Sequence, residues 1–368
     1  MAEMLKYAFR KLIDYWTRVP TIPRVLLYAA PLVAVASLGL QFTLRLQSGG
    51  NSVSLSSSDV GANDIGLWGL ALAAVLFAIG IVWAIVDQVH AHRRDSNRTT
   101  IVIESRGLRD ENGVSLATEV KKAVKGNVEE LVLDLRRFMR DGHVVDAQGA
   151  ANEIVRLPGD LRRRRDLKGR DDTSIVYGGL TPVPFTFFIG VLIDDEGVVV
   201  PYDWDRAKDR WRPLDDDDDE SRFRTSLPVE ENYGDTVVLA ISCSYPVLDD
   251  NLMRSFPGVP VVRMDLMGQT KESHWSSAKQ SALAIQVLEV ATLLEGRGVK
   301  TVHLVLAAAN SLVFQIGRKW DRRNIPNCTV YQFERDNDPP FAWGLKLPKP
   351  GVEHAEIRRQ QRPGALDL

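Results

Sequence analysis

Two long runs without a charged residue stand near the start of the chain, residues 25–44 (VLLYAAPLVAVASLGLQFTL) and residues 65–86 (IGLWGLALAAVLFAIGIVWAIV). About 20 apolar residues rising ~1.5 Å each span a hydrocarbon core about 30 Å thick, so each run is expected as a transmembrane helix. Pro31 is expected to kink the first, which membrane helices tolerate. Trp68 and Trp83 flank the second as interfacial anchors do. Lys6, Arg10, Lys11, Arg18 and Arg24 precede the runs and Arg93, Arg94 and Arg98 follow them, while residues 47–64 contain neither Lys nor Arg. The positive-inside rule then puts both termini in the cytoplasm. Leu5, Phe9, Leu12, Ile13 and Trp16 share one face of a helix over residues 4–18. That face suits the inner leaflet or packing on the cytoplasmic domain. Neither run carries an ionisable residue at its centre, which a transporter or proton relay usually needs. If these two helices act on the membrane, clustering is the expected way.

The rest of the chain reads as a folded α/β domain. A formal net charge of −2 argues against a general DNA or RNA binder, which would carry a basic excess. Cys243 and Cys328 sit in apolar, strand-like runs and read as buried thiols in a reducing compartment. After a linker at residues 88–99, strands are expected at 100–104, 131–135, 175–177, 186–193 and 198–201, the last two joined as a hairpin through residues 194–197. Helices are expected at 114–124 and 144–157. A second round has strands at 237–242, 259–264, 301–307, 329–333 and 342–347, with helices at 276–294 and from 310 to about 322. The pattern divides into halves at residues 100–213 and 235–348, each opening on an apolar strand that ends in a serine, Ser105 or Ser242. Continuous apolar strands alternating with helices imply a mainly parallel sheet covered on both faces. Ligands of such folds sit beyond the strand C-termini.

No phosphate-binding glycine loop, nucleophile elbow or metal-ligand spacing occurs, so no catalytic residue and no metal site is assigned. The acidic run of residues 215–220 reads as a solvated loop between the halves, and Arg162 to Arg165 as a solvated helix face or inner-leaflet contact. His303 reads as a satisfied core residue; His274, beside Trp275 in a polar segment, is open to a ligand. Ser242, Ser244 and Tyr245 suit either a phosphate or ribose contact or plain turn chemistry. Asn310 and Ser311 suit an anion site at a helix start or a plain cap.

Near the C-terminus a family resemblance emerges. HLVLAAANSLVFQIGRKW (residues 303–320), TVYQFERD (329–336) and FAWGLKLP (341–348) resemble the end of SAVED domains, and VVLAISCS (237–244) resembles the opening strand of their second half. Asn310 or a neighbour stands where these domains usually have Pro. The resemblance implies an N-terminal two-helix transmembrane hairpin followed by a SAVED domain made of two fused CARF-like (Rossmann-like) halves. It implies a cytoplasmic segment at residues 1–24, a membrane module at 25–87, a cyclic-oligonucleotide sensor at 100–348 and a tail at 349–368.

The resemblance further implies an inner-membrane effector of anti-phage signalling, with both termini and the sensor cytoplasmic. Its ligand would be a cyclic tri- or tetranucleotide in preference to a dinucleotide, made by a partner synthase, and no other cofactor is expected. Ligand binding would drive homo-oligomers that cluster the helices and impair the bilayer. By position, ligand contacts are expected among Ser105, Arg106, Ser242, Ser244, Tyr245, Gln269, Lys271, His274, Trp275, Lys279, Asn310 and Ser311. Arg106, Lys271 and Lys279 would meet phosphates, and Tyr245 or Trp275 would stack on a base. The alternatives are a membrane-tethered phosphodiesterase that degrades the ring and an inner-membrane scaffold without a ligand.

Overall fold

The computed structural model describes residues 43–48, 51–56, 71–86, 98–108, 113–168, 173–194, 196–227, 233–268, 270, 274–349 and 354–360. The chain divides into two compact units, Met1–Ser96 and Asn97–Leu368.

In the first unit, β1 (Thr43–Ser48) and β2 (Asn51–Ser56) pair antiparallel. In sequence, a Gly-Gly pair between alternating segments is a strong hairpin signal. β1 takes in Thr43 and Leu44, the last two residues of the first predicted span; its other residues lie outside those described. Helix α1 (residues 71–86) covers most of the second predicted span, at ~1.5 Å per residue about 24 Å of it. Leu72, Val75, Val82, Trp83 and Ile85 are exposed on it. Among the described residues no helix is long and apolar enough to cross a membrane. The amphipathic segment at residues 4–18 also lies outside the described residues.

The second unit contains two sheets. The first has the order β4-β3-β7-β8-β9, built from β3 (Thr99–Arg106), β4 (Asn127–Asp134), β7 (Thr173–Leu180), β8 (Val199–Asp205) and β9 (Arg210–Pro213). The small pair β5 (Met139–Arg140) and β6 (His143–Val144) stands apart from it. The second sheet has the order β10-β12-β11-β13-β14-β15-β16. Its strands are β10 (Phe223–Ser226), β11 (Thr236–Ser242), β12 (Val261–Leu266), β13 (Thr301–Ala307), β14 (Asn327–Gln332), β15 (Trp343–Lys346) and β16 (Glu356–Arg359).

The first sheet recurs inside the second. In each, four parallel strands carry the chain's first strand second in spatial order, and an antiparallel strand closes the far side. β10 and β16 are additions at the two edges of the second copy. β10 lies in the stretch read as a connection, and β16 in the stretch read as a tail.

Helices cover both faces, as a parallel sheet requires. They are α2 (Leu116–Ala123), α3 (Ala147–Ile154), α4 (Leu157–Lys168), α5 (Val183–Leu192), α6 (Asp249–Ser255), α7 (Ser277–Gly296) and α8 (Asn310–Lys319). The inner faces of both sheets share one core. Ile101, Ile103 and Tyr177 from the first and Val237, Leu239 and Ile241 from the second pack with α3, α5, α7 and α8. On the outer faces, Val102 and Val176 pack with Leu116, Val120, Trp204 and Trp211, while Val238, Ala240 and Val305 pack with Leu252 and Phe256.

Residues 186–193, expected as a strand of a hairpin, belong to helix α5 instead. The helix is buried on nearly every side, so its run is apolar throughout and shows no 3.6-residue period. Pro184 in its first turn needs no intrahelical donor there, which suits proline. The helix expected at 144–157 is two helices, α3 and α4. On α4, Arg163 pairs with Asp160 (3.1 Å), Arg164 with Glu129, and Arg162 and Arg165 both with Glu196 (3.1 and 2.5 Å). Each arginine of the run thus has a carboxylate partner within the chain.

The two serines used to align the halves are not equivalent. Ser105 follows Ile101 and Ile103 on the inner face and its hydroxyl meets the Tyr177 hydroxyl at 3.0 Å. Ser242 follows Val238 and Ala240 on the outer face, where its Oγ accepts from Val247 N at 3.2 Å.

Candidate functional site

Two strand-to-helix turns meet at the centre of the second unit. β7 runs through Thr181-Pro182 into α5, and β13 runs through Ala308-Ala309 into α8. Neither Pro182 nor Ala309, the two N-cap residues, makes a side-chain cap hydrogen bond. Each helix is capped from the opposite half instead. Gln332 Oε1, on β14, accepts from Val183 N at 3.1 Å, and Asp203 Oδ2, on β8, accepts from Ser311 N at 3.0 Å. Asn310 Nδ2 also crosses over, donating to Gly179 O at 3.0 Å.

Asp203 and Gln332 are counterparts. Counting back equally from the strand ends Leu180 and Ala307 matches Ile175 with Val302. Their cross-strand partners are Val199 and Cys328, and the same step along each strand leads to Asp203 and to Gln332. The two halves therefore exchange helix caps across an approximate two-fold axis between α5 and α8.

Beyond these helix starts lies a cleft of about 790 Å³, lined among others by Thr181, Val183, Asp203, Arg206, Tyr245, His274, Trp275, Asn310 and Gln332. Its size falls in the range of about 300–1,000 Å³ usual for small-molecule sites. Its floor is polar and buried. The Asp203 side chain is 7 % exposed, and its Oδ1 accepts from Trp204 N at 2.7 Å. His274 Nε2 stands 3.8 Å from Asp203 Oδ2, and His274 Nδ1 has no partner among the described residues. Gln280 Nε2 donates to His274 O and to Ser311 Oγ, both at 2.7 Å, while its Oε1 has no partner among the described residues. Such orphaned buried groups cost about 1–3 kcal/mol each and call for a reason. Around the rim stand Tyr245, 46 % exposed, and the exposed Arg206 in the turn after β8.

The acidic run holds one wall of the cleft. Asp216 N donates to Trp275 O at 3.0 Å, and Ser277 N to Leu214 O at 3.3 Å. The Arg212 guanidinium lies over the Trp275 ring, 4.7 Å from its centroid. Lys279 Nζ, its side chain 3 % exposed, reaches Asp219 Oδ2 at 2.8 Å. That hydrogen bond holds the Asp219 carboxyl down at about 2.

A smaller pocket of about 240 Å³ adjoins the cleft through Leu180 and Trp204, and contains Glu104, Ser105, Arg106, Ser115 and Trp211. Arg106 Nε donates to Glu104 Oε1 at 2.6 Å, which raises the guanidinium above its ordinary value. Glu104 Oε2 accepts from Leu116 N at 2.8 Å, at the start of α2.

The structure sorts the expected contact residues into three groups. Ser244, Tyr245, His274, Trp275 and Asn310 line the cleft, and Ser105 and Arg106 line the adjoining pocket. Ser242, Lys279 and Ser311 are buried beneath, each with a protein partner. Gln269 and Lys271 lie outside the described residues. The sequence reading missed Asp203, Arg206 and Gln332. It ended the strand at Pro201, although the alternation of Tyr202 and Trp204 continues β8 to Asp205. Among the described residues no group of His, Cys, Asp and Glu is placed to hold a metal ion.

Comparisons with known proteins bear on this arrangement. The family model of the SMODS-associated and fused to various effectors sensor domain, SAVED, matches residues 157–347, more than half of the chain. That of the SAVED-fused 2TM effector domain matches residues 2–150. Among solved structures, the chain is similar to the Acinetobacter baumannii Cap4 SAVED/CARF-domain containing receptor with the cyclic trinucleotide 2'3'3'-cAAA. The identity is 12 %, the TM-score 0.47, and the match covers 77 % of this chain and 59 % of that one. The same receptor with 3'3'3'-cAAA gives 13 %, 0.47, 77 % and 60 %. The Moraxella osloensis Cap4 receptor gives 11 %, 0.40, 67 % and 48 %. The match thus spans about three-fifths or less of the length of these receptors. A search among curated proteins finds no match.

Proposed function

Because this chain belongs to the SAVED family of sensor domains fused to effectors, we propose that it is a membrane-anchored receptor for a cyclic oligonucleotide in defence against phage. One observation carries the reading: a cleft of about 790 Å³ lies over the starts of α5 and α8, where the two repeated halves meet about an approximate two-fold axis. A ligand built of repeated units closed into a ring suits such a floor. The ring, a tri- or tetranucleotide, lies across the axis with a base against Tyr245 and phosphate toward Arg206. Trp275, 4 % exposed beneath Arg212, supports the wall instead of stacking on a base. Apolar α1, exposed along its length, supports an N-terminal unit that meets lipid in the inner membrane. Ring binding then favours homo-oligomers, which gather the membrane segments and impair the bilayer. A cyclic-oligonucleotide synthase supplies the signal.

The test is the melting of full-length protein in detergent micelles against a panel of cyclic di-, tri- and tetranucleotides. A ring at about 100 times its dissociation constant adds about 2.7 kcal/mol. A shift with one ring and its recovery intact support the receptor; no shift with any ring removes it and favours a scaffold. A hydrolytic reading has one observation in its favour, His274 beside Asp203 in the cleft. Ring opened in proportion to time and enzyme would establish it.

A further inference from the structure

We propose that Asp203 selects the ring. Its carboxylate accepts a hydrogen bond from a donor group of the ligand, a ribose hydroxyl or an exocyclic amine, and keeps phosphate away from the start of α8. The inference rests on the cleft being the ring site.

Asp203 lines the cleft with a side chain 7 % exposed. An ionised carboxylate offers about four acceptor positions. Among the described residues two neutral donors reach it, Trp204 N at Oδ1 and Ser311 N at Oδ2. The ionisable donor His274 Nε2 stands 3.8 Å away, beyond hydrogen-bond reach. A buried charge compensated so sparsely calls for further donors, and the cleft is where they enter. His274 Nδ1 and Gln280 Oε1, both buried and without a partner among the described residues, lie in the same group.

The position also decides against an anion. The first turn of a helix is a ready phosphate seat. At α8 that seat holds the Asp203 carboxylate, which repels a second negative charge. The counterpart at α5 is the neutral amide of Gln332. The two ends of the cleft therefore differ in charge although they match in backbone. A ring of repeated units is read unequally, with a donor required at the Asp203 end.

The test uses full-length protein in detergent micelles, the ring that the wild type binds best, and analogues of it lacking each 2′-hydroxyl or each exocyclic amine. Binding is measured by calorimetry. The wild type is expected to lose about 100-fold in affinity when the donor facing Asp203 is removed, since a site built for a donor rejects the analogue without it. The arm that shows the loss says whether hydroxyl or amine is read. Asp203→Asn keeps an acceptor for Ser311 N and is expected to bind the parent ring more weakly while no longer distinguishing it from that analogue. An unchanged ratio in Asp203→Asn overturns the proposal and leaves the receptor reading standing. If that variant does not fold, the wild-type series decides alone: a ring that tolerates loss of every hydroxyl and every amine overturns the proposal. A wild type that binds no ring overturns both.

Discussion

Gly190 and Gly317 occupy matching places in α5 and α8, and each is pressed against the backbone of the other's helix. A Cβ on Gly190 would overlap the carbonyl oxygen of Phe314, and one on Gly317 would overlap that of Phe187. Phe187 and Phe314 match by the same count, so the contact repeats itself across the approximate two-fold axis. It sets the closeness of the two helices, and through them the spacing of the caps on the cleft floor.

Gly190→Ala and Gly317→Ala are each expected to cost about 3 kcal/mol, the upper range for overpacking against backbone. The double variant should cost less than the sum, because one separation of the helices relieves both overlaps. Urea unfolding of the three variants measures this; strict additivity would mean that the two contacts are independent.

Lys279 and Asp219 join the acidic run to α7. Asp219→Ala leaves a buried ammonium without its partner and is expected to cost about 1–3 kcal/mol, whereas the further change Lys279→Met should recover much of that loss. The Asp219 carboxyl is depressed from 3.8 to about 2, chiefly by the Lys279 hydrogen bond. Its stabilisation is therefore complete above about pH 4 and lost as pH falls toward 2. Melting temperatures of wild type and Asp219→Asn should converge across that window.

His303 stacks on Phe256 at 5.2 Å and meets Tyr331 edge-on at 5.3 Å. Its Nδ1 is buried without a partner among the described residues, so the expectation of a satisfied core histidine does not hold. Burial lowers its pKa below 6.5. The unfolded chain then takes up the proton first, and stability should decline as pH falls below about 6.5. His303→Phe is expected to flatten that part of the profile between pH 7 and 5.5; an identical slope would assign it to other groups.

Cys243 and Cys328 are both buried free thiols. Burial pushes Cys243 up to about 11 and holds Cys328 well above its ordinary value. Neither should react with an aromatic disulfide reagent at pH 8 in native protein, and both should react on unfolding, because only the thiolate attacks. Prompt labelling of the native state would contradict their burial.

How far the sequence disclosed this structure depended on whether a segment faced one environment or two. β11 and β13 are buried on both faces, and their unbroken apolar runs read correctly as central parallel strands. Helix α5 is equally buried, and the same unbroken apolarity misled, because periodicity vanishes when no face meets water. The prolines at its start held the missing signal. At the cleft, Tyr245 and Asn310 were reached by the rule that ligands gather beyond strand ends, and His274 and Trp275 by their place together in a polar segment. Asp203 and Gln332 were not, because each acts on a helix more than a hundred residues away in sequence, across a contact that only the fold creates.

β10 lies antiparallel on β12, at the outer edge of the second sheet, so the passage from one half to the other is itself woven into structure. The two sheets also share one core, which ties the halves together beneath the cleft. On the proposed reading, a ring arriving at the cleft changes the outline of the rim more than the angle between the halves. The proposed receptor is then less like a hand that closes than like a seal that is completed.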